Sequence, residues 1–208
     1  MSMPAALNQP RFFADHLLQA NGKVHAYARE LALVLGGVSI VALLAKISFF
    51  IGPVPITGQT LGVLIVGAAL GAKRGAVTLG TYLAVGLAGL PVFAGPIAGP
   101  AYVAAPSFGF IVGFVPAAFV AGWFAERRWD RSPLRALVGF GAASLIPFLV
   151  GVPYMALVLA ALGGVEVTPS LILATGVLPF ILPGVIKAIL AAAVIPSAWA
   201  ATRAITKR

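Results

Sequence analysis

Charged residues are so rare along this chain that they divide it into long uncharged segments. These segments cover residues 31–45, 47–72, 75–125, 136–165, 167–186 and 188–202. A helix that crosses a bilayer needs about 20 mostly apolar residues, and the longest segment has room for two such helices and a loop. The pattern predicts an all-α membrane protein with six transmembrane helices, at roughly 29–50, 56–72, 75–91, 107–126, 135–162 and 184–203.

Basic residues mark one side of these predicted spans. Twelve of the 14 Lys and Arg residues lie within the first 29 residues, at Lys73 and Arg74, between 127 and 135, or within the last six residues. Cytoplasmic loops of membrane proteins carry an excess of Lys and Arg. We therefore expect cytoplasmic N- and C-termini in a multi-pass protein of the cytoplasmic (inner) membrane.

The predicted organisation is a single six-helix transmembrane domain, residues 29–203, between a leader of residues 1–28 and a cytoplasmic tail of residues 204–208. Aromatic and charged residues are mixed in the leader, which is typical of an amphipathic helix on the membrane surface and also of a partly disordered segment. The leader has no apolar core followed by a small-residue cleavage site, so we expect no removable signal peptide.

The connections on the uncharged side are apolar and rich in proline and glycine, as in residues 52–55 and 90–106. Non-helical backbone of this kind is disfavoured against lipid, because its peptide groups would lack hydrogen-bond partners. We expect these outer loops to fold over the bundle and cap a ligand cavity. A purely structural cap is the alternative.

Composition argues against several kinds of function. The chain is 61% hydrophobic and 9% charged, and it has no cysteine. Its two histidines lie in the leader without other ligands at metal-binding spacing, and no phosphate-binding Gly-x-x-x-x-Gly-Lys-Ser/Thr loop is present. The basic residues that give the net charge of +9 flank apolar spans. We therefore expect a lipid bilayer as the surroundings, and no catalytic residues, cofactor, metal ion or nucleic acid.

One lysine, Lys187, stands inside an apolar segment. A lysine within a membrane span is costly unless it is paired or hydrated, which makes Lys187 a candidate functional residue. No acidic residue is predicted at its depth, one turn inside the outer end of the last span, so an anionic group of a substrate would supply the partner. A side chain that reaches the outer surface along its apolar stem is the alternative. We favour that alternative for Lys46.

Few polar or aromatic side chains accompany this lysine. Gln59 can serve an amide-like ligand as both donor and acceptor, and Phe93 and Phe108 can contact a flat apolar ring. For each of them, ordinary packing is the alternative. The remaining candidates for substrate binding are Thr57, Thr60, Tyr82 and Tyr154.

Small residues recur three or four positions apart and permit close approach of helices. Most such pairs, among them Gly109 and Gly113, are predicted to pack inside the bundle. A similar stripe in the first span either packs internally or docks another membrane protein. This stripe consists of Ala28, Ala32, Gly36 and Ser39.

Several ordered motifs are similar to those of a known family. They are Gly-Pro-Val-Pro-Ile-Thr-Gly-Gln-Thr-Leu-Gly at 52–62, Leu-Gly-Ala-Lys-Arg-Gly-Ala at 70–76, Gly-Leu-Pro-Val-Phe-Ala-Gly at 89–95 and Ala-Glu-Arg at 125–127. The chain resembles the BioY family, the biotin-binding S-components of energy-coupling factor (ECF) transporters, most densely over 46–128. The resemblance implies a six-helix S-component that captures biotin from outside. It also implies a transmembrane coupling subunit and two cytosolic ATPase subunits as partners.

The resemblance further implies roles for individual residues. Lys187 would bind the valerate carboxylate of biotin, and Gln59 with Thr57 or Thr60 would bind the ureido group. The chain departs from the family pattern at Gly184, where an aspartate is common, and at 105–110, where the wall is bulkier and less polar. An S-component for another anionic vitamin and a membrane scaffold without a small-molecule ligand are the alternatives.

Overall fold

The computed structural model of the protein describes residues 23–164 and 166–206, which are mostly helical. The leader prediction for residues 1–22 and the last two residues of the tail lie outside the described residues. The α-helices are α1 (Lys23–Ala45), α2 (Gln59–Leu70), α3 (Ala72–Leu87), α4 (Phe108–Glu126), α5 (Pro133–Leu162), α6 (Pro169–Gly176) and α7 (Leu178–Thr206). Strands β1 (Ser48–Phe49) and β2 (Ile56–Thr57) form an antiparallel pair, and short 3-10 helices cover Pro100–Ala104 and Trp129–Arg131.

Four helical segments are long and apolar enough to cross a membrane: Val24–Ala45, Phe108–Glu126, Pro133–Leu162 and Pro169–Ala201. This confirms a helical, multi-pass membrane protein. Helices α2 and α3 are shorter, with 12 and 16 residues respectively. They occupy the predicted second and third spans but end sooner. Helix α2 ends at Leu70 because the chain turns at Gly71, whose φ of 85° suits glycine, and α3 ends at Leu87, shortly before Gly89 with a φ of 105°.

The last predicted span differs most from the structure. Helix α7 begins at Leu178 instead of near Gly184, and the unpredicted helix α6 precedes it, with Val177 as the break between them. The hydroxyl of Thr168 caps α6 by accepting a hydrogen bond from the backbone N–H of Leu171, at 3.2 Å. The prediction that Lys187 lies one turn inside its helix is therefore wrong, because Lys187 lies more than two turns from the start of α7.

The β1–β2 hairpin connects α1 to α2 and fixes the start of α2. Ser48 pairs with Thr57, and the backbone N–H of Gly58 donates to the carbonyl of Ile47 at 2.9 Å. Because α2 begins directly after this pair, Thr57, Gln59 and their neighbours are held at one end of the bundle. We call this the loop end, since the segments 46–58 and 88–107 both lie outside the long helices.

Charged side chains gather at the opposite end, which we call the charged end. Arg74 at the start of α3 forms an ion pair with Glu30 of α1 at 2.7 Å. The carboxylate of Glu126, at the end of α4, accepts a hydrogen bond from the backbone N–H of Ala72 at 3.0 Å. This contact satisfies one of the free N–H groups at the start of α3.

Asp130, in the connection between α4 and α5, adds a buried contact at the charged end. Its carboxylate accepts a hydrogen bond from the indole N–H of Trp199 in α7. Burial raises the pKa of Asp130 above its ordinary value, although the bond from Trp199 and the charge of Arg131 act in the opposite direction. The contact joins the α4–α5 connection to the last helix.

Helix α4 lies against α2, α3 and α5, and its glycines allow close packing. A Cβ atom on Gly109 would lie 2.3 Å from the Cβ of Tyr154, and one on Gly113 would lie 2.7 Å from the Cα of Pro147, both in α5. The prediction that this pair packs inside the bundle is confirmed. Three buried apolar clusters result among the described residues: one among α1 to α4, one among α2, α4, α5 and α7, and a smaller one that includes Phe110 of α4 and Met155 of α5.

Candidate functional site

A cavity of about 570 Å³ lies between α2, α4, α5 and α7, next to the β1–β2 hairpin. This volume is within the range of about 300–1,000 Å³ that is usual for small-molecule sites. Most of its wall is apolar. The polar side chains in the wall are Thr57, Gln59, Thr60, Tyr102, Ser107, Ser144 and Lys187.

Lys187 is the one charged side chain among the described residues that line this cavity. Its ammonium group donates to the backbone carbonyl of Thr57 and, at 3.0 Å, to the hydroxyl of Thr60. Both acceptors are neutral, and none of the described lining residues is an Asp or Glu. Since an ammonium group has three N–H donors, one remains for a ligand, and the positive charge has no counter-charge in the wall.

Gln59 is held by a hydrogen-bonded chain that crosses the bundle. Its side-chain oxygen accepts from the hydroxyl of Thr57 at 2.8 Å, and its side-chain NH₂ donates to the hydroxyl of Tyr82 at 2.7 Å. The Tyr82 hydroxyl in turn donates to the carbonyl of Val92 at 2.8 Å. These two bonds fix the orientation of the Gln59 amide in the cavity wall. One N–H and one lone pair of the amide remain for a ligand.

Of the eight substrate-binding candidates, the structure brings four together in the cavity wall and leaves four outside it. The four in the wall are Lys187, Gln59, Thr57 and Thr60. The other four are not lining residues, and their contact with a ligand stays a prediction. They are Tyr82, Phe93, Phe108 and Tyr154.

Together with Tyr102, which lines the cavity, the four outside form an aromatic row. The ring of Phe93 is fully buried beside Gly86, with its centroid 5.5 Å from that of Tyr82 and 4.4 Å from that of Tyr102. Phe108 continues the row, 5.6 Å from the ring of Tyr154. Tyr154 donates to a backbone carbonyl of the 3-10 helix, so the row supports the loop end.

The aromatic wall of the cavity consists instead of Phe110 and Phe114 on α4, Phe148 on α5 and Phe180 on α7. The rings of Phe110 and Phe180 are stacked at 6.1 Å, and Phe148 is 5.7 Å from Phe110. The four-residue spacing of Phe110 and Phe114 puts them on one helix face. This spacing is the feature of the sequence that could have predicted their part of the aromatic wall. Phe148 and Phe180 join them only through tertiary packing.

A second, smaller cavity of about 300 Å³ lies at the loop end, under the proline- and glycine-rich segments. Pro55, Tyr102 and Ser107 line both cavities. The hydroxyls of Tyr102 and Ser107 are hydrogen-bonded at 3.0 Å, and burial raises the pKa of Tyr102. This pair is therefore a neutral, hydrogen-bonded partition between an outer chamber and the main cavity.

Lys46 binds the backbone of the segment 88–107, which follows α3. Its ammonium group donates to the carbonyls of Pro91 at 2.7 Å and Phe93 at 3.1 Å. A lysine at the end of α1 thus ties the segment after α3 to the hairpin region. The side chain of Lys46 was predicted to reach the outer surface. In the structure its ammonium group also binds two backbone carbonyls, which was not predicted.

Replacing Lys46 with methionine is expected to loosen this segment modestly, because two partly exposed hydrogen bonds are lost while the apolar stem is kept. The expected cost is about 0.5–1.5 kcal/mol of stability. Thermal unfolding and limited proteolysis between residues 88 and 107 measure it. Lys73→Met, at an exposed position of the charged end, is the matched control. Equal effects of the two substitutions would contradict the assignment.

The predicted docking stripe on α1 is exposed along its whole length. Ala28, Ala32, Gly36 and Ser39 all face away from the bundle, and a Cβ atom on Gly36 would meet nothing within 4 Å. The neighbouring Gly37 does pack inward, with its Cβ position 2.7 Å from Thr78. Of the two alternatives for this stripe, internal packing is therefore wrong.

The long apolar helices define a multi-pass helical membrane protein, and its largely apolar cavity is large enough for a small molecule. Comparison of the chain with known proteins identifies its family. The sequence model of the BioY family matches residues 15–204, and the chain belongs to the BioY family. Membership of this transporter family confirms the prediction that the protein is not an enzyme.

Individual relatives agree with this assignment. The biotin transporter BioY of Rhizobium etli is 38% identical over 168 residues, which cover 77% of this chain and 86% of that protein. A protein of Pyrococcus horikoshii described as a probable biotin transporter BioY is 37% identical over 161 residues, or 77% of this chain and 90% of its own length. The chain is similar to each of them over most of its length.

A solved structure shares the fold. The crystal structure of the S-component for biotin from an ECF-type ABC transporter superimposes with a TM-score of 0.62 at 27% sequence identity. The match covers 85% of this chain and 94% of that structure. The helical arrangement described above is therefore that of an S-component.

Proposed function

We propose that this protein takes up biotin across the cytoplasmic membrane as the substrate-capture component of an ECF-type transporter. The assignment is supported by the transporter relatives and by the S-component fold. The observation that carries it is Lys187, a cation without a counter-charge in the wall of a largely apolar cavity. Biotin, a small apolar bicycle with a carboxylate tail, has the matching chemistry.

The carboxylate is the part of the ligand that the cavity selects most strongly. An ammonium group in an apolar wall is poorly solvated, and a carboxylate from the ligand would restore a charge-assisted hydrogen bond. The remaining N–H of Lys187 is the donor in this proposal. A glycine at 184 lines the cavity beside it and leaves room that a larger residue would occupy.

The ureido group would bind at the polar edge of the cavity. Gln59, Thr57 and Thr60 line this edge together, and the free N–H and lone pair of the amide suit a group that both donates and accepts. Phe110, Phe114 and their aromatic neighbours would contact the rings. The predicted ring contacts of Phe93 and Phe108, and ligand roles for Tyr82 and Tyr154, would require a rearrangement of the partition at Tyr102.

The proposed topology has six spans with both termini in the cytoplasm. Helices α6 and α7 together form one apolar segment, Pro169–Ala201, and α2 and α3 with their flanking residues form the two short spans. Lys73, Arg74 and the cluster at 127–135 all belong to the charged end, which the positive-inside rule assigns to the cytoplasm. The loop end and its outer chamber then face outside, where biotin arrives.

The proposed partners are a transmembrane coupling subunit and two cytosolic ATPase subunits. The chain has no phosphate-binding loop of its own, so energy for active uptake would come from another subunit. The exposed stripe of Ala28, Ala32, Gly36 and Ser39 offers a smooth surface for close approach of another helix. We propose this stripe as the contact with the coupling subunit.

Thermal unfolding of the purified protein tests the ligand directly. A ligand that binds the native state at 100 times its dissociation constant adds about 2.7 kcal/mol of stability. We expect a clear rise in the midpoint with micromolar biotin and none with thiamine or riboflavin. A rise with another vitamin alone would indicate an S-component of different specificity. No rise with any of them would favour a membrane scaffold and contradict the proposal.

A further inference from the structure

The seam between α5 and α7 is closed at two levels along its length. Toward the charged end, Phe140 and Ala143 of α5 share a buried cluster with Ala188 of α7. Toward the loop end, the rings of Phe148 and Phe180 close the seam, with their centroids 6.0 Å apart. Beside and between these two contacts, residues of both helices line the cavity, and three of them are also exposed on the outer surface. We call this opening the α5–α7 window; its residues are Gly141, Ser144, Leu145, Ile181, Gly184 and Val185.

Two glycines, one on each helix, widen the window. A Cβ atom on Gly141 or on Gly184 would meet no heavy atom within 4 Å, so both positions face open space. The opposite side of α5 differs, because a Cβ atom on Gly113 of α4 would lie 2.7 Å from the Cα of Pro147. The cavity is therefore closed toward α4 and open between α5 and α7.

The window is continuous with the surface that faces lipid. Leu145, Ile181 and Val185 line the cavity and are also 64%, 54% and 51% exposed. Their outward neighbours Leu149 and Leu182 are 74% and 69% exposed on the same helices, both of which are long and apolar enough to cross the membrane. Hydrocarbon surrounds the middle of a helix that crosses a bilayer.

Water is a poor occupant of the part of the cavity beside the window. A buried water needs two to four polar partners, and the rim offers only one polar side chain, Ser144. The hydroxyl of Ser144 already donates to the carbonyl of Phe140 in its own helix, at 2.7 Å. Hydrocarbon fits the rim without leaving the Ser144 hydroxyl unsatisfied.

We infer that the window admits an acyl chain of a membrane phospholipid, which lies in the apolar part of the cavity against Phe110 and Phe114. The chain reaches the cavity from the side, through the gap between α5 and α7, and its head group stays in the bilayer surface. This inference goes beyond biotin uptake and does not require that biotin is the ligand.

A photoreactive lipid provides the test. The full chain is reconstituted in nanodiscs with a phosphatidylcholine that carries a diazirine within one acyl chain, and the labelled residues are mapped by mass spectrometry after illumination. We expect labels on the inner wall, at Phe110, Ile111 or Phe114, in addition to the outward-facing Leu149. The first three are buried, at 7%, 3% and 4% exposure, and an acyl chain that stays outside cannot reach them.

Leucine at either window glycine should close the path. Gly141→Leu and Gly184→Leu are expected to reduce labelling of the inner wall several-fold, while labelling of Leu149 stays the same. Gly80→Leu is the matched control, because a Cβ atom there also meets nothing within 4 Å but the residue does not line the cavity. Unchanged labelling of Leu149 and a monodisperse elution profile show that each variant is folded.

Two results would overturn the inference. One is labelling confined to outward-facing residues in the native protein. The other is inner-wall labelling that both leucine substitutions leave unchanged. Since no vitamin is present in these samples, either result would leave the biotin proposal, and its own thermal test, unaffected.

Discussion

Replacing Lys187 with methionine is expected to weaken biotin binding about ten- to a hundred-fold without unfolding the protein. A hydrogen bond to a charged group contributes about 1.5–3 kcal/mol, and each 1.4 kcal/mol is a factor of ten in affinity. Methionine keeps the length and apolar stem of the side chain but removes the charge and all three donors. The hydrogen bonds to Thr57 and Thr60 are lost as well, yet both acceptors line a cavity that a ligand or water can reach.

The ligand itself supplies the sharpest control for this prediction. Biotin methyl ester lacks the negative charge, so the native protein should bind it less tightly than biotin by a similar factor. The Lys187→Met variant should bind the acid and the ester with nearly equal affinity. Equilibrium binding of both ligands to both proteins forms a thermodynamic cycle that isolates the charge interaction.

Lys73→Met serves as the protein control, because Lys73 is an exposed lysine that does not line the cavity. It should bind both ligands as the native protein does. If Lys187→Met binds biotin normally, the carboxylate does not meet this lysine and the proposed role is wrong. A Lys187→Met variant that still prefers biotin to its ester would contradict the role even if overall affinity fell.

Helix positions were predictable where turn-forming residues border a long apolar segment. Helix α4 was expected at 107–126 and is found at Phe108–Glu126, and α5 was expected at 135–162 and is found at Pro133–Leu162. Pro106 precedes the first, and Gly163 and Gly164 follow the second. Both kinds of residue interrupt a helix for local reasons that a sequence displays.

The start of the last helix was harder to predict, because proline occurs both at the beginning of a helix and inside membrane helices. The predicted last span, 184–203, begins after Pro179 and Pro183, but α7 includes both. Pro179 is the second residue of α7, where its missing N–H has no partner within the helix in any case. Pro183 is tolerated within the helix, as are Pro116, Pro147 and Pro153 in α4 and α5.

The polar part of the candidate site was largely predictable, and the apolar part was not. Lys187 stands out because a charge in an apolar segment is rare, and Thr57, Gln59 and Thr60 stand together in one motif. Gln59 also donates to Tyr82, 23 residues away, and this bond takes up one of the amide's donors. Phenylalanines are common throughout this chain, so only the packing of α4, α5 and α7 distinguishes those that line the cavity.

A close approach of α4 to the backbone of the α2–α3 corner gives the second large expected effect, at Gly122 of α4. A Cβ atom there would lie 2.3 Å from the backbone N of Ala72 and 2.3 Å from the backbone C of Gly71, in the corner between α2 and α3. These are backbone atoms that no rotamer change can move. The Glu126 carboxylate, one turn further along α4, binds the N–H of Ala72 and holds the same corner.

Gly122→Ala is therefore expected to lower stability by about 1–3 kcal/mol, the usual cost of overpacking, with Gly122→Val lower still. Gly80→Ala is the matched control, because it adds the same methyl group to α3 in open space. Alanine is the better helix former by about 0.5–1 kcal/mol, so this control should be neutral or stabilising. Thermal unfolding in one detergent compares the two. Equal midpoints for the two variants would show that α4 does not press on this corner. We expect the Gly122→Ala midpoint to fall and the Gly80→Ala midpoint to stay or rise, because the added methyl group meets backbone atoms at 122 and nothing at 80.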